Sequence, residues 1–318
     1  MSFKVIGTGM YVPPRVVSND DIAKFVDTND EWIRQRVGVA QRHVCTGETT
    51  VDLAAAAARR ALDNAGVTPA ELDLILCATV STENAVPSLA CFVQERLGAT
   101  CMAYDINAAC SAFLFLLETA AGYFARGRAR RALVIGAERM SSMIDWNDRS
   151  TCVIFGDGAG AAVLEAGDGY LDAIFHVRGG DSVIKLPHGT RKSPFSTREE
   201  VSAPSLFMKG QETFKFAVNA MCQDTQALLD RNGLTPADIR WIVPHQANAR
   251  IIDFVARRLG VPMEKFVVNI QRYGNTSGAS IPIALDELNR EGKLERGDLV
   301  LMAAFGGGLA SAATLIRW

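Results

Sequence analysis

Short motifs in this chain occur twice, in the same order. Residues 61–72 read ALDNAGVTPAEL and residues 228–239 read LLDRNGLTPADI. Both read as a helix end, a Gly stop and a Thr-Pro-Ala-acidic helix start. Both are followed by a short apolar run, Leu74 to Ala78 and Trp241 to Val243. Each half then carries a helix ending in Arg-Leu-Gly, at 96–98 and 258–260. Leu133-Val134-Ile135 matches Leu299-Val300-Leu301, and Phe155-Gly-Asp-Gly-Ala-Gly matches Phe305-Gly-Gly-Gly-Leu-Ala. Chance gives one such match, not the ordered set. A repeat on this scale implies a duplicated supersecondary unit. Apolar runs alternating with amphipathic segments imply α/β architecture. The expected molecule is therefore two βα halves, 1–168 and 169–318, related by a pseudo-twofold axis. The boundary falls near Gly167 to Gly169. No Pro- or Ser-rich linker separates the halves, so they should share one packed core. The least regular stretch, about Gly179 to Pro204, reads as an excursion loop.

Composition narrows the function. Lys plus Arg is 33 and Asp plus Glu is 35, a net charge of −2. A nucleic-acid binder of this size would usually carry a basic excess. The seven cysteines are odd in number and include no CxxC, which argues for reduced thiols in a cytoplasmic protein. The N-terminal MSFKVIGTGMYVPP lacks the apolar core of a signal peptide. Leu299 to Ile316 is uncharged and long enough to suggest a membrane span, but Gly306, Gly307 and Gly308 interrupt it. A backbone break exposed to lipid is costly, so two buried strands joined by a glycine turn are expected.

Cys110 follows an apolar run ending at Ile106 and precedes a helical pattern over Ser111 to Phe124. It therefore sits at a strand-to-helix turn. The positive end of a helix lowers a thiol's pKa and favours the thiolate. His245 ends the apolar strand Trp241 to Pro244, where open α/β folds place functional residues. Asn275, in RYGNTSGAS, lies on the second-half counterpart of the Cys110 turn. Pseudo-symmetry would bring these turns together at the axis. The Gly306 to Gly308 turn could supply backbone N–H groups as an oxyanion hole. Each residue also has a plain structural reading: a core cysteine, a helix-capping histidine, a turn asparagine, a tight glycine turn. Cys with His and Asn fits a thiol protease. It equally fits acyl transfer from a thioester, with neutral His and Asn donating hydrogen bonds to a carbonyl that becomes an enolate. No convincing metal-ligand spacing is present.

DINAACSAF, VPHQANARI, RYGNTSGAS, IFGDGAGAAVL and AFGGG together resemble β-ketoacyl-acyl carrier protein synthase III, a thiolase-fold condensing enzyme. The resemblance runs from GTGMYVPP near the start to Ile316-Arg317-Trp318. It implies a duplicated five-layer αβαβα sandwich and initiation of type II fatty-acid synthesis. It implies that Cys110 is acylated by an acyl-CoA primer, and that His245 and Asn275 promote malonyl-thioester decarboxylation. The N–H groups of Cys110 and Gly307 match the family's oxyanion hole. Coenzyme A would be a substrate and no cofactor is expected.

The same resemblance assigns coenzyme A contacts to Thr28, Trp32, Arg36, Arg149, Phe214 and Asn248. Trp32 and Arg149 would sandwich the adenine, and Arg36 would meet the phosphates. Lys215, Arg250, Arg257 and Arg258 match the docking face for malonyl-acyl carrier protein; a solvated charged face is the plain alternative. Three departures stand out. Ala112 occupies a position usually Gly, so its methyl would narrow the space by the nucleophile. Ala40 replaces a frequent cation. Val86 replaces a frequent Phe in a loop that, in the family's homodimer, reaches the partner's acyl pocket, so primers longer than acetyl are expected. A degradative thiolase needs a second cysteine in the C-terminal half, and the last here is Cys222. A protease does not explain the duplication. A non-catalytic carrier-protein-binding paralogue would usually lack one of the three residues. Relatives of this fold also prime polyketides, quinolones or biotin precursors.

Overall fold

A computed structural model describes residues 2–189, 195 and 205–318. In chain order the principal elements begin with β1 (Ser2–Tyr11), α1 (Thr50–Ala65), β2 (Leu74–Ala78), α2 (Leu89–Leu97) and β3 (Met102–Ile106). They continue with α3 (Ala112–Ala125), β4 (Arg131–Arg139) and β5 (Asp157–Gly167). The second series is β6 (Tyr170–Gly180), α4 (Gly210–Arg231), β7 (Trp241–Pro244), α5 (Ala249–Leu259), α6 (Ser280–Arg290), β8 (Leu299–Gly306) and β9 (Gly308–Arg317).

The first series forms a five-stranded sheet ordered β1-β5-β4-β2-β3, and the second a four-stranded sheet ordered β7-β8-β9-β6. The pairings repeat. β1–β5 and β5–β4 are antiparallel, while β4–β2 and β2–β3 are parallel. β6–β9 and β9–β8 are antiparallel, and β8–β7 is parallel. The counterpart of β3 in the second sheet shrinks to a parallel bridge between Ile242 and Phe266, with the Val267 N–H donating to Ile242 O at 2.9 Å.

The alternation of strand side chains builds the layers. Leu74 and Leu76 join α3, α6 and the inner faces of both sheets in a central core, while Ile75 and Cys77 pack beneath α1 and α2. On the other side, Ile242, Leu301 and Phe305 pack against α4 and α5. The result is helix, sheet, helix, sheet, helix. Being covered on both sides, α3 reads AFLFLLETAAGYFA, apolar nearly all round. Strand β4 approaches the turn before α6 so closely that a Cβ on Gly136 would stand 2.4 Å from Gly278 O. That contact ties the two halves directly under the site.

Gly66, Gly98 and Gly260 end α1, α2 and α5 in the left-handed conformation, as the sequence predicted. The Thr-Pro-Ala-acidic segments form single turns rather than helices: 3₁₀ at Pro69–Glu71, and a turn closed by Asp238 on the Thr235 N–H at 2.7 Å. Strands β2 and β7 begin too soon afterwards for a helix to grow. The uncharged C-terminal stretch is β8 and β9, antiparallel across Gly307. No helix among the described residues is long and apolar enough to cross a membrane. Of the expected excursion loop, Ile184–Lys185 pairs with Phe207–Met208, while 190–194 and 196–204 lie outside the described residues.

Candidate active site

Two matching turns frame the site. After β3 the chain makes a 3₁₀ turn, Ala109–Ser111, that leads into α3. Before α6 it makes another, Ser277–Ala279. Ala109 at φ 48° and Ser277 at φ 49° are the non-glycine residues with positive φ among those described. Such a conformation costs on the order of 1–3 kcal/mol and clusters at functional sites. Asn107 Oδ1 accepts the Ala109 N–H at 3.1 Å, and Asn275 Oδ1 accepts the Ser277 N–H at 2.8 Å. The turns correspond as the repeat implied. Residue by residue, Asn275 corresponds to Asn107, and Cys110 to Gly278.

Cys110 is half-buried. The expected lowering of its thiol pKa is not seen. Burial and the negative Glu138 push it up to about 11, against a lowering hydrogen bond from Ser277. The start of α3 is a weak partial charge, and desolvation of a thiolate outweighs it here. The resting group is therefore a thiol.

His245 is 1% exposed. Its position is fixed by its N–H donating to Ala303 O at 2.8 Å, and its ring meets Phe305 edge-on at 5.4 Å. Burial alone takes its pKa down to about 3, so the imidazole is neutral. Nδ1 lies 2.7 Å from Ser280 Oγ, which also accepts the Gln246 N–H at 3.4 Å. With the Ser280 hydroxyl donating to Nδ1, the ring proton sits on Nε2, the tautomer in which Nε2 is a donor. Nε2 is buried without a partner among the described residues. Asn275 is held by its N–H to Ile154 O at 2.9 Å, and with Oδ1 engaged by Ser277 it offers Nδ2 as donor. Gly306 presses on the nucleophile turn: a Cβ there would be 2.8 Å from Cys110 N.

Cys110, His245, Asn275 and Gly307 line one cavity of about 870 Å³. Phe214 and Asn248 line it too. Asn248 Nδ2 donates to Arg36 O at 3.0 Å, which sets Arg36 at its margin. Thr28, Trp32 and Arg149 lie outside the lining. The Arg149 guanidinium sits over the Trp32 ring at 4.9 Å and donates to Asp27 O at 2.8 Å. An aromatic ring between two stacked planes needs about 7 Å. The expected adenine sandwich is therefore closed, and Arg149 must swing away to admit a base.

Val86 is 83% exposed and does not line this chain's cavity, although Ala85 does. Ala112 is buried in the middle layer, its Cβ 3.8 Å from where one on Gly278 would stand, and is also absent from the lining. Its methyl fills space between the halves rather than beside the thiol. Lys215 on α4 and Arg250, Arg257 and Arg258 on α5 are all exposed. Arg250 stacks on Phe214 at 5.8 Å, Arg257 pairs with Asp253 at 2.9 Å, and Arg258 bonds Asn219.

Sequence reasoning missed three residues. Ser280 Oγ meets His245 Nδ1 at 2.7 Å. Ser277 lines the cavity with the nucleophile. Glu138 is 1% exposed beneath it. The available signal for Glu138 was an acid directly after the apolar run of β4.

The profile described as 3-Oxoacyl-[acyl-carrier-protein (ACP)] synthase III matches residues 104–180, and that of its C terminal matches residues 229–318. The chain is 45% identical over 321 residues to a β-ketoacyl-[acyl-carrier-protein] synthase III of Clostridium acetobutylicum, covering 100% of this chain and 99% of that one. A 3-oxoacyl-[acyl-carrier-protein] synthase III crystal structure from Aquifex aeolicus superposes with TM-score 0.92 at 45% identity, covering 99% of this chain and 100% of that one. The priming β-ketosynthase of the R1128 polyketide biosynthetic pathway also has TM-score 0.92, at 37% identity, covering 99% of this chain and 96% of that one.

Proposed function

The chain belongs to the 3-oxoacyl-[acyl-carrier-protein] synthase III family, acyltransferases of the thiolase fold that initiate fatty-acid synthesis, and we propose that Cys110, His245 and Asn275 carry its reaction. The observation that carries this reading is the convergence of a thiol, a neutral imidazole and a carboxamide donor on one cavity. In the first half-reaction Cys110 attacks the thioester carbonyl of an acyl-CoA. The acyl group passes to its sulfur and coenzyme A leaves. In the second, malonyl-acyl carrier protein enters. His245 Nε2–H and Asn275 Nδ2–H hold its thioester carbonyl, so departure of CO2 leaves a stabilised enolate. The enolate carbon attacks the acyl carbonyl, whose oxygen is held by the N–H groups of Cys110 and Gly307. Collapse expels the Cys110 thiolate and releases a β-ketoacyl product. An imidazole that stays neutral suits donation rather than proton abstraction.

The reaction needs no metal or prosthetic group. Coenzyme A enters past Phe214 and Asn248, with Thr28, Arg36 and the Trp32–Arg149 pair at the mouth. Lys215, Arg250, Arg257 and Arg258 on adjoining outer helices form the docking face for an acidic carrier protein. The protein acts in the cytoplasm as a homodimer, with the exposed Val86 loop reaching the partner's pocket. A primer role in a specialised pathway is the second reading, favoured by the likeness to the R1128 enzyme. The test is intact-protein mass spectrometry after incubation with competing acyl-CoAs from acetyl to about decanoyl, the range set by the volume of a missing ring. An adduct confined to Cys110 and absent in Cys110→Ala supports the reading. No adduct with any primer refutes it. Preference for long or branched primers would favour the second reading.

A further inference from the structure

Loading Cys110 requires its thiol to lose a proton, and the groups at the reaction centre take it poorly. Burial makes His245 a very weak base, and its Nδ1 is already engaged by Ser280. Asn275 has no basic atom. Beneath the thiol, however, lies a carboxyl group that no step above uses. Ser277 lines the cavity with Cys110, and its hydroxyl lowers the pKa of both the Cys110 thiol and the Glu138 carboxyl. Glu138 lies one residue before the end of β4, inside the protein and 1% exposed. Its Oε2 accepts from Ser81 Oγ at 2.6 Å, the Val80 N–H at 3.0 Å and Thr79 Oγ1 at 3.3 Å. Its Oε1 faces the Ser277–Ala279 turn, 3.7 Å from where a Gly278 Cβ would stand. The neighbouring Arg139 turns away to Glu83 at 3.1 Å. The groups facing Glu138 are thus three hydroxyls and an amide, and its charge acts on the Cys110 thiol. A buried acid without a cation is costly to keep.

We propose that Ser277 and Glu138 form a relay that takes the proton of the Cys110 thiol while the acyl group is loaded. The inference rests on Cys110 being the residue acylated. The thiol proton passes to Ser277 Oγ as the Ser277 proton passes to Glu138 Oε1. The sulfur, now anionic and hydrogen-bonded by Ser277, forms its bond to the thioester carbonyl carbon. The carbon–sulfur bond to coenzyme A breaks, and the departing thiolate recovers the proton along the same path. Nothing is oxidised, and Glu138 ends as it began. Burial raises its pKa to about 7, which suits a group that must hold and return a proton near neutrality. In this relay Ser277 meets the reacting sulfur, whereas Glu138 acts through Ser277.

The test measures single-turnover acylation by quenched mass spectrometry from about pH 5.5 to 9, a range spanning such a group. It compares wild type, Glu138→Gln and Ser277→Ala. Alanine suits position 277, because Ala109 adopts the same positive φ at the matching turn. Wild-type acylation should rise with pH to a plateau with an inflection near 7, matching Glu138. Both variants should lose that inflection and load about 100-fold more slowly near neutrality. Condensation by enzyme already acylated should stay within a few-fold of wild type. A merely structural role would depress both half-reactions together and leave the inflection, which overturns the relay. So would variants that load at the wild-type rate. If wild type itself forms no adduct, the assignment of Cys110 falls and the relay falls with it; a loaded wild type with unaltered variants sinks the relay alone.

Discussion

Gly306→Ala separates the geometry of the site from the stability of the fold. The added Cβ would stand 2.8 Å from Cys110 N, 3.2 Å from Ser111 N and 3.3 Å from Cys110 Cβ. None of these is the end of a flexible side chain. The Ser111 N–H is tied back to Ala108 O at 3.2 Å. Comfortable contacts lie at about 3.5–4.0 Å, so the nucleophile turn must retreat by up to about 1 Å. Overpacking of this kind costs about 1–3 kcal/mol. Unfolding entropy of about 2.1 cal/mol/K per residue over 318 residues converts that into a melting point about 1.5–4.5 °C lower. The effect on chemistry should be larger. Misplacing reacting groups by about 1 Å, or losing an oxyanion donor, costs about 100-fold or more in rate. The adjacent Gly307→Ala is the stability control. Its Cβ would meet Ile184 Cγ2 at 3.4 Å and Ala109 Cβ at 3.7 Å, ordinary contacts. It should melt within about 1 °C of wild type, as substitutions without a clash usually do. Burst acylation and thermal unfolding followed by circular dichroism read the two effects. A Gly306→Ala protein that loads at the wild-type rate would refute the reasoning, as would equal destabilisation by both alanines.

Three further outcomes are expected. Asn275→Ala should load Cys110 normally but depress condensation by about 100-fold, as removal of one donor from a developing charge does; equal loss in both half-reactions, measured separately, would remove Asn275 from its role. Arg149→Ala should raise KM for acyl-CoA by about three- to thirtyfold at unchanged kcat, the range of a cation–π contact of about 0.5–2 kcal/mol, and a lower KM would show that Arg149 only blocks the site. Glu138 also predicts a pH dependence of stability. Burial raises its pKa in the folded protein from the ordinary 4.5 to about 7, so the folded state holds a proton that the unfolded chain releases. That contribution is present below pH 4.5 and is lost as pH rises to about 7, up to about 3 kcal/mol in all. Chemical denaturation at both ends of this window should show wild type losing stability relative to Glu138→Gln, and parallel curves would contradict the buried ionisation.

What the sequence disclosed was whatever the duplication wrote in local signals. Gly66, Gly98 and Gly260 mark helix ends because only glycine tolerates left-handed φ there without cost. The apolar runs at Leu74 and Trp241 mark strands because burial on both faces demands them. Repetition alone pairs the turns of Cys110 and Asn275. Relations that depend on packing stayed hidden. The thiol pKa follows from burial and from Glu138, twenty-eight positions away along the chain and adjacent in space. Ser280 carries no local signal of its contact, yet its hydroxyl faces His245 at 2.7 Å. The closed Trp32–Arg149 pair joins segments 117 positions apart, and no spacing rule reaches that far.

The seam through the active site also dictates when the protein becomes competent as it folds. Cys110 and Glu138 belong to the first sheet's half, while His245, Asn275 and Ser277 belong to the second. Each sheet can pair its strands with its own outer helices, but the two meet across the middle layer of α3 and α6, with the Gly136–Gly278 contact among those that join them. Contacts this distant along the chain form late. Recovery of secondary structure should therefore run ahead of recovery of a thiol that accepts an acyl group, making acylation a clock for the final docking of the halves.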